Sequence, residues 1–178
     1  MTEDIVGFRP GEECSICQGR CCKERGCSLS PEDLTEKERQ TLLDVESTVQ
    51  FLKRDDNLYA VDVTYGAEGR LYYLRMRTKC YTFVGVEGFG ECCALTENGC
   101  SLDYSRRPKG GRCLKSSPDF HCRQEYMPEE MEKDWQQYQS VLSTVYDKYS
   151  VILEKDGTIE ECEKAYRQFY FDKKKKQD

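Results

Sequence analysis

Cys14-Ser15-Ile16-Cys17-Gln18-Gly19-Arg20-Cys21-Cys22 places four thiols within nine residues, and Cys27 follows five positions later. A single thiol behaves as a small apolar side chain, but several converging thiolates bind soft metals tightly. The Cys14-x-x-Cys17 pair suits a tight turn around one ion, because two intervening residues let both sulfurs reach it. The Cys21-Cys22 doublet adds two more sulfurs whose side chains diverge. One of them suits the same centre, and the other suits a second metal or a bridging position.

A second cysteine-rich block lies some seventy residues further on, with Cys92, Cys93, Cys100, Cys113 and Cys122. The two blocks together offer ten thiols, enough for two four-sulfur centres or for one cluster with thiols to spare. His121 is the only histidine in the chain and stands next to Cys122. Catalytic zinc usually sits on imidazole or carboxylate with an open water position, whereas all-thiolate sites are typically structural zinc or iron–sulfur.

Between and after the blocks the chain reads as ordinary secondary structure. Residues 1–29 read as an irregular loop. Ser30-Pro31-Glu32-Asp33 carries a capping box with proline at the first helical position, which predicts a surface helix ending near Glu46, with a second short helix over 47–54. Leu58–Tyr65 and Arg70–Arg77 read as strands separated by Gly66-Ala67-Glu68-Gly69. In the second strand Tyr72, Leu74 and Met76 alternate with Tyr73, Arg75 and Arg77, the period of a half-buried antiparallel strand. A third strand is expected over 80–86, then a glycine turn at 88–90. Tyr59, Tyr65, Tyr72 and Tyr73 are read as sheet packing rather than a substrate cage.

From Pro128 a long helix is expected to reach about Glu154, because Met131, Trp135, Tyr138, Leu142, Val145, Tyr149 and Ile152 recur every three or four residues. Thr158 and Glu161 make a further capping box, so a final helix should fold back on it as a hairpin, with Cys162 on its apolar face. The expected class is α+β: a small metal-stabilised domain over 1–178 with a short antiparallel sheet, irregular cysteine-rich loops and a C-terminal helical hairpin over 128–172.

Composition narrows the function. The formal net charge of −6 argues against a nucleic-acid partner, since phosphate recognition needs a basic face. Four terminal lysines, 173–176, are explained by the negative end of the last helix. No apolar run approaches the roughly 20 residues that span a bilayer. The acidic start Met1-Thr2-Glu3-Asp4 lacks the basic and apolar stretches of a signal peptide, so a cytoplasmic location is expected. In a reducing compartment the twelve cysteines point to metal rather than to a disulfide framework.

The first block resembles the Cys-x-x-Cys-x-x-Cys-Cys signature of the cysteine-cluster family of zinc- or iron-chelating proteins. The second block, Cys92-Cys93-Ala94-Leu95, then Gly99-Cys100-Ser101-Leu102-Asp103-Tyr104-Ser105-Arg106-Arg107-Pro108 and Cys113, is similar to that family's later run. The resemblance spans residues 8–125, and it implies Cys14, Cys17, Cys21, Cys22, Cys92, Cys100 and Cys113 as ligands. This chain has three residues between Cys17 and Cys21 where the signature has two. Four residues separate Pro108 from Cys113, where the family has two. The family's Cys-Arg pair occurs here as Cys122-Arg123, so the last ligand is Cys113 or Cys122.

The resemblance implies a four-iron, four-sulfur cluster or Zn2+, in a structural or redox role. Flagellin lysine N-methylases look like larger relatives. That suggests, by analogy, an S-adenosylmethionine-dependent protein-lysine methyltransferase, for which Tyr72, Tyr73 or Trp135 would have to line a pocket. A third possibility is a zinc-stapled module that binds a protein partner. Arg106-Arg107 reads either as donors to the thiolate centre or as solvated arginines of an Arg-Pro turn.

Overall fold

The computed structural model describes residues 22–23, 26–54, 56–79, 83–84, 91–97, 99–115, 123–124 and 126–154. Cys14, Cys17, Cys21, Cys122, His121, the turn at 88–90, the expected final helix with Cys162, and the lysine tail lie outside the described residues. In chain order the helices are α1 (Glu36–Thr41), α2 (Val45–Leu52), α3 (Lys109–Arg112), α4 (Pro128–Trp135) and α5 (Gln139–Glu154). The strands are β1 (Tyr59–Gly66), β2 (Gly69–Met76), β3 (Leu95–Thr96), β4 (Gly99–Cys100), β5 (Leu114–Lys115) and β6 (Arg123–Gln124). Helices with three two-stranded antiparallel pairings make an α+β fold.

The centre of the described fold is the β1–β2 hairpin, in register from Tyr59↔Met76 to Gly66↔Gly69. The glycines close a two-residue turn. Gly69 sits at φ +121°, where an L side chain is strained. A Cβ on Gly66 would run into the Glu132 carboxylate, which accepts the Glu68 N–H at 3.3 Å.

An isolated hairpin leaves two open edges, which cost stability and invite mispairing. Both are covered here. Against β2, the Leu29 N–H donates to the Leu74 carbonyl and the Met76 N–H to the Cys27 carbonyl, both at 2.8 Å. Further along, the Gln139 side chain takes the place of a strand, accepting the Tyr72 N–H at 3.0 Å and donating to the Tyr72 carbonyl at 2.6 Å. Against β1, the Val61 N–H donates to the Phe83 carbonyl at 2.8 Å, and Val84 bridges Val61 in parallel. Phe83 and Val84 are the described part of the third strand expected over 80–86. The parallel sense follows because the chain reverses after β2 and then lies on the free edge of β1.

Both faces of β2 are buried from Leu71 to Met76, so the expectation of a half-buried strand is overturned. The reason is a buried ion pair. Arg75 Nε lies 2.7 Å from Asp62 Oδ2, both side chains being 5% exposed or less. The contact is Coulombic, since the Nε–H is not aligned as a hydrogen bond. The Tyr73 hydroxyl also reaches Asp62, at 3.4 Å.

The expected first helix is broken. Ser30 and Asp33 do form a capping box, but it holds only the 3-10 turn Pro31–Asp33. A second box, Thr35 with Glu38, starts α1, and the Asp44 carboxylate caps α2 by accepting the Ser47 N–H at 2.8 Å. The long helical stripe is present, with Met131, Trp135, Tyr138, Leu142, Val145 and Tyr149 all buried. It is interrupted by a 3-10 turn at Gln136–Tyr138. Three residues per turn keep Trp135 and Tyr138 on one side, their rings 5.7 Å apart and edge to face. The Trp135 indole N–H donates to the Leu29 carbonyl at 3.0 Å, which ties the helix to the strand beside β2. Helix α4 packs on both strands of the hairpin, and α5 packs on α2 and β2.

Tyr72 and Tyr73 pack in the core as expected, but Tyr65 does not: it projects at 73% exposure near the hairpin turn. Removing the carboxylate from the buried ion pair strands Arg75, so Asp62→Ala is expected to cost about 3–5 kcal/mol in urea unfolding. An apolar pair, Asp62→Leu with Arg75→Met, should cost less. A loss below about 1 kcal/mol for Asp62→Ala would show that the pair is not the constraint described.

Candidate metal centre

The two cysteine blocks meet at the end of β2. The Cys27 carbonyl accepts the Met76 N–H, and the next residue, Arg77, accepts the Cys93 N–H at 2.9 Å. Thr78 bridges Cys92, and the Lys79 N–H donates to the Glu91 carbonyl at 2.8 Å, backed by a Lys79–Glu91 ion pair. The Cys92 N–H in turn donates to the Cys22 carbonyl at 2.7 Å, so first and second block are hydrogen-bonded directly. The backbone of one strand end therefore holds Cys22, Cys27, Cys92 and Cys93 together.

The rest of block two folds back over this place. Leu95 pairs with Cys100 in the small β3–β4 hairpin, and the Ser101 N–H donates to the Ala94 carbonyl at 2.8 Å. The Cys100 sulfur accepts the Leu102 N–H at 3.4 Å. A 3-10 turn, Tyr104–Arg106, leads into α3, which delivers Cys113. Helix α3 is clamped from two sides. Asp33 accepts the Lys109 N–H at 2.8 Å and meets Arg112 at 2.8 Å, while the Lys109 ammonium meets Glu130 at 2.6 Å and Asp134 at 3.1 Å on α4. Lys109 also stands 4.5 Å from the Tyr126 ring centroid, and the Tyr126 hydroxyl donates to Asp134 at 2.8 Å. The clamp presses α3 onto the first block: the Gly110 N–H donates to the Ser28 carbonyl at 2.9 Å, and a Cβ on Gly111 would lie 3.0 Å from the Cys27 sulfur.

Of the residues expected as ligands, Cys22, Cys92, Cys100 and Cys113 lie in these convergent segments, and Cys14, Cys17, Cys21 and Cys122 lie outside the described residues. Among the described residues, no three His, Cys, Asp or Glu side chains group closely enough to hold a metal ion. None of the six described cysteines is in a disulfide. All of them except the buried Cys92 are partly buried and packed against the core.

The adjacent thiols Cys92 and Cys93 behave oppositely. The hydrogen bond from Cys92, helped by the Arg77 charge, holds the Cys93 thiol below the ordinary range; that same bond and burial push Cys92 up. Arg106 is exposed, as solvated arginines of a turn would be, whereas Arg107 is buried. Arg107 Nε donates to the Leu102 carbonyl at 3.2 Å, which braces the loop between Cys100 and Cys113. Cys27 and Cys93 are among the ten candidate thiols but outside the ligand set that the resemblance implies, and Arg75 and Arg77 are not read there as part of a site. The available signal was arginine at alternate positions of a strand that continues straight into a cysteine-rich segment.

Tyr72, Tyr73 and Trp135 are packed in the core. A surface cavity of about 120 Å³ is lined by Glu38, Phe51, Arg54, Asp56, Asn57, Leu58 and Tyr59. Among the described residues, no helix is long and apolar enough to cross a membrane.

The fit of Gly111 against Cys27 gives a direct check on the geometry. A methyl group there is tighter than most real contacts, so Gly111→Ala should push Cys27 aside. The variant is expected to lose about 1–3 kcal/mol in urea unfolding and to alkylate faster at Cys27. Unchanged stability together with unchanged alkylation would contradict the contact. Comparison with family models, curated proteins and solved structures finds no match to this chain.

Proposed function

We propose that this protein holds a metal centre, an iron–sulfur cluster or zinc, through thiolates drawn from both cysteine blocks, in a structural or redox role. The observation that carries the reading is the convergence at the end of β2. Segments some seventy residues apart in sequence are joined by the Cys92–Cys22 hydrogen bond, and α3 is pressed onto Cys27. The donor chemistry supports it. None of the six described cysteines is consumed by a disulfide, and soft sulfur donors favour zinc and iron–sulfur centres over hard cations. The first block, with its Cys-x-x-Cys start and Cys21-Cys22 doublet, and the later run from Cys92 to Cys113 resemble a family of metal-chelating proteins.

Chain-distant ligands couple metal binding to folding, because the unfolded chain has no preformed site. One bound group would staple the N-terminal segment to the loop between β2 and α4. When bound, it supplies a fixed tetrahedral or cubane junction and, if iron, one-electron chemistry.

The test substitutes one cysteine from each block. Cys14→Ser and Cys100→Ser should each reduce metal content sharply, and each should lower the melting temperature by several degrees or more. A chelator should bring the wild-type protein to the same lowered temperature. Two variants with full metal content and unchanged melting would contradict a shared centre.

A further inference from the structure

The surface cavity of about 120 Å³ lies between α1, the end of α2 and the start of β1, and none of its lining residues is a candidate metal ligand. Phe51, from the last turn of α2, and Tyr59, the first residue of β1, line it with their ring centroids 6.1 Å apart and their planes tilted by 50°. Asn57 fixes this arrangement. Its side-chain N–H groups donate to the Leu52 and Tyr59 carbonyls, both at 3.0 Å, and its side-chain oxygen accepts the Tyr59 N–H at 3.3 Å. Leu58, 37% exposed, adds apolar surface to the lining. Walls built in advance spare a ligand the cost of ordering them.

The polar groups of the lining divide into two kinds. Arg54 and Asp56 are spent on each other, with Nε and Nη2 donating to the two carboxylate oxygens at 3.0 and 2.6 Å. Glu38 is only half used. Its Oε2 accepts the Thr35 N–H at 2.7 Å and the Thr35 hydroxyl at 2.8 Å, but among the described residues neither Glu38 Oε1 nor the Tyr59 hydroxyl makes a hydrogen bond. The charge around Tyr59 is mainly negative. Burial first, then the Glu38 and Asp33 carboxylates, push its phenol above the ordinary range, with Arg106 opposing them.

We propose that this cavity binds a small methylated ammonium group, held between the Phe51 and Tyr59 rings and the Glu38 carboxylate. Aromatic faces attract a cation through their negative quadrupole. A primary ammonium brings three N–H donors, and the open acceptors here are Glu38 Oε1 and the Tyr59 hydroxyl. N-methyl groups need no acceptors and pack on Phe51, Tyr59 and Leu58. An anion would face Glu38 and Asp56 with Arg54 already engaged. The volume is well below the roughly 300 Å³ at which drug-sized sites begin, so it suits a head group rather than a nucleotide-sized molecule.

The experiment titrates the full chain, as purified, with choline and follows the N-methyl protons by saturation-transfer NMR. Two further probes are choline's uncharged isostere, in which carbon replaces nitrogen, and ethanolamine, which keeps the charge without the methyl groups. Choline should bind saturably with a Kd of about 1–10 mM, and both other probes about 3-fold or more weakly. Glu38→Gln, which retains a side chain able to cap α1, and Phe51→Leu, which removes a ring, should each weaken choline by about 3-fold or more. If Phe51→Leu does not fold, Glu38→Gln decides. The proposal is overturned by choline that does not saturate, by an isostere or ethanolamine that binds as tightly, or by folded variants that bind choline as wild type does. None of these results bears on the metal centre, whose residues are separate.

Discussion

The backbone at the end of β2 holds the described fold together. Within four residues, Met76, Arg77, Thr78 and Lys79 pair with Cys27, Cys93, Cys92 and Glu91. Strand pairing has a fixed spacing and direction, so these bonds set where each cysteine segment enters and which way it leaves. The hairpin supplies a rigid end, and the loops inherit their positions from it. The helices act on the same place from behind. Trp135 ties α4 to Leu29, and Lys109 with Asp33 ties α3 to its neighbours.

Burial on both faces of β2 explains why a small sheet can do this. A two-stranded hairpin is marginal by itself, and this one is closed on both edges, by Cys27–Leu29 and Gln139 against β2 and by Phe83–Val84 against β1. Its second face carries polar groups, with Asp62, Tyr73 and Arg75 forming one buried cluster. Such a cluster contributes less to stability than an apolar core would, but it fixes partners by charge and geometry.

Much of the fold was legible in the sequence, and the failures have identifiable causes. The hairpin was marked by alternation and by Gly66 and Gly69, and the structure extends it by one residue at each side of the turn. The stripe from Met131 to Tyr149 was marked by spacing alone. The first helix was misjudged because Asp33, read as a local cap acid, is shared with Lys109 and Arg112 from another part of the chain. Long-range use of a side chain leaves no local mark. The Thr35-x-x-Glu38 box was visible and outcompeted the Ser30 signal. Arg75 and Arg77 were hidden for the opposite reason: charge in a strand reads as solvent-facing, and only the Asp62 pairing and the overlying cysteine segments reverse that. For the candidate centre, the cysteines themselves were plain, while the bond between Cys22 and Cys92 depends on tertiary pairing that spacing does not encode.

The most direct test of the central claim is elemental analysis with a visible absorption spectrum on full-length protein purified without oxygen. A thiolate centre spanning both blocks predicts metal in simple ratio to chain: iron with acid-labile sulfide and a brown chromophore, or colourless protein with zinc. Protein that is folded and free of both iron and zinc would contradict the account, and the cysteines would then have to be explained as thiols packed against the core.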